Sequence, residues 1–177
     1  MTERQQNQDL NTSALLDTLS SELRNLLKSR NIDKAVMIGI HSGGLWVAEK
    51  LHKNLSIEAP LGSLNITFYR DDFTRIGMHP QVQPSSLPFT IDEQHIILVD
   101  DVLHTGRTIR AALNEIFDYG RPASVILAVL VQRDCRELPI SADVAATQID
   151  LKQNQHIKLI RDESTSNLSL SIEEATK

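Results

Sequence analysis

Residues 95–112 combine three features that suit the binding of a phosphorylated sugar. Residues 96–99 (Ile-Ile-Leu-Val) form the β-branched, apolar run that is typical of a strand buried on both faces. Asp100 and Asp101 follow directly, at the strand end where open α/β sheets place their ligands. Residues 105–108 (Thr-Gly-Arg-Thr) then begin a predicted helix, and the backbone N–H groups at such a start bind anions. Carboxylates for hydroxyls and amides for phosphate together predict a site for ribose 5-phosphate.

Two acids at a strand end have other common meanings. In a P-loop NTPase they hold magnesium, but the chain lacks the G-x-x-x-x-G-K-[ST] motif, which excludes that class. A phosphate-receiver domain also groups acids at this position. Asp100 or Asp101 could also simply cap a turn or the next helix. The T-G-R-T sequence four residues later favours the sugar-phosphate interpretation.

The segment His41-Ser42-Gly43-Gly44 predicts a second anion site, because it joins a short apolar strand to an amphipathic helix. The alternative is a tight strand-to-helix turn without a ligand. A hydrolase nucleophile elbow is excluded, because that motif needs glycine two residues before the serine and Ile40 is there.

These segments need elements that position them, and the hydrophobic periodicity supplies candidates. Helices are predicted at 13–30, 45–55 and 106–119, and strands at 35–40, 63–69, 96–100, 124–131 and 144–149, with a closing hairpin from 157–160 and 168–172. Alternating strands and helices predict an α/β fold with a mostly parallel sheet. We expect a disordered tail over residues 1–12 and one domain over 13–177. Residues 70–92 lack a period and are typical of a flexible loop or lid.

The composition narrows the class of protein. The 177 residues carry a formal net charge of −5, which disfavours non-specific binding to nucleic acid. No apolar run approaches the length of a membrane span. The single cysteine, Cys135, excludes an intramolecular disulfide and is consistent with a reducing compartment, so we expect a cytoplasmic protein that does not contact a membrane.

Four stretches carry a resemblance to a known family: LNITFYRDDF at 64–73, VDDVLHTGRTIRAAL at 99–113, DYGRPASVILAVLVQR at 118–133 and RELPISADV at 136–144. ILVDDVLHTGRT resembles the signature of type I phosphoribosyltransferases, which bind phosphoribosyl pyrophosphate (PRPP). The four stretches together resemble the PyrR family, regulators of pyrimidine operons that also show uracil phosphoribosyltransferase activity. The likeness extends over about residues 13–175.

The resemblance implies a single-domain type I phosphoribosyltransferase fold with a small hood and a flexible lid. It implies conversion of uracil and PRPP to UMP and pyrophosphate with Mg²⁺. Asp100 and Asp101 would bind the ribose hydroxyls and orient Mg²⁺ through those hydroxyls or water. The residues that would hold PRPP and its 5-phosphate are Val102, Leu103, His104, Thr105, Gly106, Arg107 and Thr108. For Arg107, screening of charge and a place on the solvated helix face are equally compatible with the sequence.

Three further segments acquire roles from the resemblance. Residues 41–44 (His41, Ser42, Gly43 and Gly44) would be the pyrophosphate loop. Residues 70–92 would be the lid, with Arg70, Asp71 and Arg75 near the pyrophosphate, although both arginines could equally be idle. Residues 133–147 would form the hood over uracil, with Val131, Gln132 and Arg133 leading into it, and we expect backbone groups to read most of the base.

The chain departs from the family pattern at positions that would contact RNA. RNA-binding members commonly carry Thr-Arg where this chain has Ser42-Gly43, His at the position of Cys135 and Arg at that of Ser141. Each change removes a donor or a positive charge. We therefore expect RNA binding to be weak or lost. The alternative function is a nucleotide-sensing regulator that binds RNA and has only vestigial catalysis; salvage of a purine base on the same fold ranks below it. The family also implies a homodimer or a larger homo-oligomer.

Overall fold

The computed structural model describes residues 10–66, 84–152 and 154–174. Within these ranges the helices and strands alternate through the middle of the chain and end in two strands. They are α1 (Thr12–Ser29), β1 (Val36–Ile40), α2 (Gly43–Leu55), β2 (Gly62–Leu64), β3 (His95–Leu103), α3 (Arg107–Tyr119), β4 (Ser124–Arg133), β5 (Val144–Ile149), β6 (Gln155–Arg161) and β7 (Leu168–Glu174).

Strands β1 to β5 form one parallel sheet in the order β2-β1-β3-β4-β5. β3 lies at its centre, which explains why residues 96–99 are apolar on both faces: all four are buried. β1 pairs with β3 only as far as Gly39 opposite Val99. β3 and β4 continue together to Leu103 opposite Gln132. The predicted mostly parallel sheet flanked by helices is confirmed.

The core has two halves, one on each face of the sheet. On one face α1 and α2 pack through Leu19, Leu23 and Leu51, which are fully buried. On the other face α3 packs through Ile109 and Ile116. Each helix buries the apolar stripe that its sequence period predicts. The helices therefore pack on both faces of the sheet and fix its position.

The last two strands form a separate antiparallel pair, with Ile157 opposite Ile172 and Leu159 opposite Leu170. Leu159 is buried in the same core half as α1 and α2. The predicted closing hairpin is therefore confirmed, and its two strands contact α1 and α2.

Several element boundaries differ from the predictions. α1 begins at Thr12, a buried residue whose helix is capped by Asn11, so part of the predicted tail 1–12 belongs to the fold; residues 1–9 lie outside the described residues. α2 begins at Gly43 rather than Leu45, so both glycines of the 41–44 segment are helical. β2 ends at Leu64, and residues 67–69 of the predicted strand 63–69 also lie outside the described ranges.

Two neighbouring strands of the parallel sheet are longer than predicted, for one physical reason. β3 was predicted to end at Asp100 but runs to Leu103, and β4 was predicted to end at Val131 but runs to Arg133. Polar residues disfavour strands locally, yet the two strands pair along this whole length. The predicted hood 133–147 therefore overlaps the sheet at both ends, since Arg133 closes β4 and residues 144–147 belong to β5.

No helix within residues 10–66, 84–152 and 154–174 is both long enough and apolar enough to cross a membrane.

Candidate active site

Asp100 and Asp101 lie at the carboxyl-terminal end of the sheet, just past the point where β1 stops pairing with β3. The side chain of Asp100 is 2% exposed and that of Asp101 is half-buried. Each carboxylate accepts a hydrogen bond from the next backbone N–H: Asp101 N to Asp100 Oδ1 and Val102 N to Asp101 Oδ1, both 3.0 Å. These bonds hold one oxygen of each carboxylate against the backbone and so fix the orientation of both side chains.

The predicted anion segment 41–44 packs directly against this acid pair. A Cβ atom on Gly43 would stand 2.5 Å from Asp101 Cγ, and one on Gly44 would stand 2.6 Å from the Val99 carbonyl oxygen. Any side chain at either position would force a shift, so the glycines allow the start of α2 to approach the acids. The preceding peptide bond, between His41 and Ser42, is cis, and the His41 N–H donates to Leu64 O at 2.9 Å.

Among the described residues, the N-cap Ser42 makes no side-chain hydrogen bond that caps the start of α2. The first N–H groups of a helix have no acceptor within the helix, and together they carry a partial positive charge. Here that charge faces the Asp100–Asp101 pair across Gly43 and Gly44. The arrangement suits a ligand that brings an anion to α2 and hydroxyls or a cation to the aspartates.

The segment that joins β3 to α3, residues 104–106, leads into the other predicted anion site, residues 105–108. Gly106 is in the left-handed region at φ 94° and caps α3 without a side-chain hydrogen bond. Glycine is needed there because other residues are strained at such a φ. The Arg107 N–H donates to Thr105 Oγ1 at 3.2 Å, which tightens the turn. We call residues 104–108 the phosphate loop.

The phosphate loop is tied to the chain that follows β4. Arg136 donates from Nη1 to the His104 carbonyl oxygen. The N–H groups of Glu137 and Leu138 both donate to the Thr105 carbonyl oxygen, at 3.0 and 3.2 Å. Both of these carbonyl groups are therefore held by one short segment, residues 136–138, that the sequence pattern did not connect with the loop.

Arg107 makes an ion pair within the same contact. Its Nε and Nη2 atoms both lie 2.7 Å from Glu137 Oε2. The side chains are 56% and 50% exposed, so the pair is near solvent and its contribution to stability is small. The sequence left two roles open for Arg107, screening of ligand charge and a place on the solvated helix face. The side chain is exposed, as the second role requires, but it pairs with Glu137 of the predicted hood.

The three residues predicted to lead into the hood have different surroundings. Val131 is fully buried in the core and pairs with both neighbouring strands, so it serves the sheet rather than a hood. Gln132 and Arg133 are half-buried at the end of β4. Arg133 donates from Nη2 to Gln155 O at 3.3 Å, while its buried Nε has no hydrogen-bond partner among the described residues. Burial lowers the pKa of its guanidinium, and Cys135 nearby acts in the opposite direction.

The lid residues Arg70, Asp71 and Arg75 lie outside the described residues, so their predicted roles stay predictions. The described end of the predicted lid is fixed to the sheet edge, where Ser63 and Ser86 form an antiparallel bridge. Ser85 Oγ accepts from the Asn65 N–H at 3.0 Å and donates to Glu115 Oε1 at 2.5 Å.

The acid pair fits Mg²⁺ better than a metal held by protein ligands alone. Within the described ranges no three histidine, cysteine or acidic side chains are grouped as a metal site. Asp100 and Asp101 offer two oxygen-donor side chains at one place. Mg²⁺ usually keeps several waters and takes one or two carboxylates together with substrate oxygens. The donor set therefore suits a metal that arrives with a phosphorylated substrate.

A separate cavity of about 540 Å³ lies at the opposite end of the sheet, where α1 and α2 end. Arg24, Lys28 and Glu58 are among its lining residues. None of the predicted site residues lines this cavity, so its volume is not evidence that it is the active site.

Comparisons with known proteins agree with this geometry. The sequence family described as "Phosphoribosyl transferase domain" matches residues 7–161. The chain is 61% identical over 152 residues to the "Bifunctional protein PyrR" of Nitrosococcus oceani, covering 85% of this chain and 86% of the relative. It is 57% identical over 150 residues to the protein of the same name from Pseudomonas paraeruginosa, covering 85% and 88%. A hypoxanthine-guanine phosphoribosyltransferase structure from Bacillus anthracis matches with a TM-score of 0.63 at 15% identity, over 78% of this chain and 81% of that one. The last match concerns the fold alone.

Proposed function

Because the chain belongs to the phosphoribosyltransferase family, and within it to the PyrR proteins, we propose that it converts uracil and PRPP to UMP and pyrophosphate. One observation carries the proposal: the start of α2 packs against the Asp100–Asp101 pair, with the phosphate loop a few residues further along the same strand and turn. A sugar that carries a phosphate at one end and a pyrophosphate at the other needs this combination of groups.

The ribose of PRPP would lie over the acid pair. Asp100 and Asp101 would accept hydrogen bonds from its 2- and 3-hydroxyl groups, since charged acceptors bind hydroxyls strongly. The phosphate loop would hold the 5-phosphate through its backbone N–H groups and the hydroxyls of Thr105 and Thr108. Residues 102–108 then form one continuous ligand-binding segment.

The pyrophosphate would lie at the pyrophosphate loop 41–44, whose two glycines begin α2. The partial positive charge of the helix start favours the developing charge of the leaving group. Asp100 and Asp101 are the residues that would hold Mg²⁺, through the ribose hydroxyls or water. When bound, Mg²⁺ would neutralise part of the negative charge of the phosphates. We further propose that Arg70, Asp71 and Arg75 approach the pyrophosphate from the lid.

In the reaction, uracil N1 forms a bond to ribose C1 as the bond from C1 to the pyrophosphate oxygen breaks, and the N1 proton passes to the released pyrophosphate or to solvent. No protein nucleophile is needed, so positioning and charge complementarity supply the catalysis. Uracil would be read at the end of β4, by backbone groups of the hood and by Gln132 and Arg133. The buried Nε of Arg133, which no described residue bonds, supports a polar ligand at this place.

Steady-state assays with a panel of bases test the proposal. Uracil should support release of pyrophosphate from PRPP, whereas hypoxanthine and guanine should not. The fold alone does not fix the base, since the solved relative from Bacillus anthracis is named for purine bases. Turnover with hypoxanthine and none with uracil would reverse the assignment of the base while keeping the PRPP site.

A second function is favoured by the word "bifunctional" in the names of the relatives. A regulator that binds RNA would use exposed positions. Of the four positions where the family pattern differs, Ser42, Cys135 and Ser141 are exposed, whereas Gly43 is buried. With a net charge of −5, these changes leave little to attract phosphates. We therefore propose that RNA binding is weak. Titration of the protein with the leader RNA of its own pyrimidine operon, with and without UMP and at several salt concentrations, tests this; tight, UMP-stimulated binding would restore the regulatory function.

We also propose an oligomeric state and a cellular location for the protein. The family implies a homodimer or larger homo-oligomer, which light scattering would measure directly. A cytoplasmic location accords with the free, exposed Cys135 and with soluble phosphorylated substrates.

A further inference from the structure

The phosphate loop must present its N–H groups to a phosphate, so its carbonyl groups have to find partners elsewhere. In a planar trans peptide the C=O of one residue and the N–H of the next point in opposite directions. A group that holds the His104 carbonyl therefore sets the direction of the Thr105 N–H. A group that holds the Thr105 carbonyl likewise sets the direction of the Gly106 N–H.

Both carbonyl groups are held by residues 136–138. Arg136 Nη1 donates to His104 O, and the Glu137 and Leu138 N–H groups donate to Thr105 O. The contact continues through apolar groups, because a Cβ on Gly106 would stand 3.4 Å from the Cβ atoms of Leu138 and Ile140.

From these contacts we infer that residues 136–138 position the phosphate-binding N–H groups of Thr105 and Gly106, with Arg136 as the decisive side chain. Arg136 is thus a positioning residue for the 5-phosphate. A guanidinium that bonds a carbonyl makes one of the stronger hydrogen bonds in proteins, and it leaves the peptide little freedom to rotate. The inference rests on the proposed function, because it assigns a role within the PRPP site.

The inference also links two parts of the site. Residues 136–138 begin three residues after Arg133, within the segment that would cover uracil. The same segment would therefore contact the base and, through the Thr105 carbonyl group, it contacts the phosphate loop. A change in the base-binding segment is expected to alter phosphate affinity without any direct contact with the phosphate.

Two ligands separate the positioning role from a general structural one. Ribose 5-phosphate would use the phosphate loop, and magnesium pyrophosphate would use the start of α2. We expect Arg136→Gln to weaken ribose 5-phosphate binding roughly tenfold, as loss of one charged hydrogen bond predicts, and to change pyrophosphate binding less than twofold. The KM for PRPP should rise while kcat stays within a few-fold. Arg136→Lys should recover part of the loss, because its ammonium keeps a donor and the charge.

Arg161→Gln is the control, since it removes the same charge from an arginine that pairs with Glu49 at 3.0 Å but lies in the closing hairpin. It should leave both affinities unchanged. Equal losses for the two ligands with Arg136→Gln, or no loss for ribose 5-phosphate, would overturn the inference. Should Arg136→Gln fail to fold, the same comparison with Arg136→Lys decides, through a smaller loss confined to ribose 5-phosphate. Wild-type protein that binds neither ligand would instead contradict the proposed function itself.

Discussion

Gly44 and Asp100 are packed so closely that a Cβ atom on Gly44 would stand 2.8 Å from the Asp100 Cα atom. The obstacle is backbone, because the same Cβ would also stand 2.6 Å from the Val99 carbonyl oxygen. Gly43 differs, since its nearest neighbours are atoms of the Asp101 side chain, which can rotate. Gly44 therefore allows the close packing of α2 on β3, whereas Gly43 leaves room for the Asp101 side chain.

Substitution of these glycines should separate stability from binding. Gly44→Ala should lower the free energy of unfolding by about 1–3 kcal/mol, the usual cost of overpacking, because α2 and β3 must move apart. Gly43→Ala should keep most of the stability but raise the KM for PRPP, because Asp101 has to turn away. Urea unfolding and steady-state kinetics on both variants check this. A Gly44→Ala variant as stable as wild type would contradict the close approach.

A second prediction concerns Asp143, just before β5. Its Oδ2 accepts from the Leu127 N–H at 2.9 Å, and its Oδ1 pairs with Arg30 Nη2 at 2.7 Å. The half-buried backbone bond should matter more than the exposed ion pair. We expect Asp143→Ala to cost about 1–2 kcal/mol of unfolding free energy, and Arg30→Gln less than about 1 kcal/mol. Urea unfolding measures both, and equal losses would show that the ion pair is the dominant contact.

A third prediction is a pH dependence in the turn between β6 and β7. Hydrogen bonds from Ser164 and Thr165 lower the pKa of Asp162 from 3.8 to about 2. A carboxylate with a lowered folded-state pKa stabilises the protein above its unfolded pKa, and this contribution is lost as the pH falls from about 4 to about 2. NMR titration of the Asp162 carboxyl carbon should therefore give a midpoint near 2.

The variant Asp162→Asn isolates the charge, because the amide oxygen can still accept the hydrogen bonds. Its melting temperature should lie below that of wild type at pH 7, and the difference should shrink towards pH 2. Glu163→Gln removes the same charge from the neighbouring exposed position and is the control. A difference between Asp162→Asn and wild type that persists at pH 2 would mean that the charge is not its cause.

Much of the fold was predictable because periodicity follows directly from burial. The leucines of α1 recur every four residues, and their stripe packs as expected. The ends of β3 and β4 were not predictable, because Asp101, Gln132 and Arg133 interrupt the apolar pattern and only pairing between the two strands extends them. The position of the acids near the carboxyl end of β3 was predicted from the order and spacing of the residues.

The connection between the phosphate loop and residues 136–138 could not be predicted in the same way. It joins residues about thirty positions apart through backbone donors and one arginine, and such contacts leave no periodic signal. Arg107 illustrates the limit: its sequence position suited either phosphate or solvent, and the structure places it against Glu137. The RELPI stretch contributed to the resemblance, but only the folded chain shows what it contacts.

The most direct test of the whole account is calorimetric titration with PRPP and Mg²⁺. Wild-type protein should bind PRPP, and the double variant Asp100→Asn, Asp101→Asn should lose that binding while its melting temperature stays close to that of wild type. A second double variant, Asp17→Asn with Glu22→Gln on the exposed face of α1, removes the same charge and should bind normally. Unchanged PRPP affinity in the Asp100, Asp101 variant would contradict the assignment of the acid pair as the sugar-binding centre.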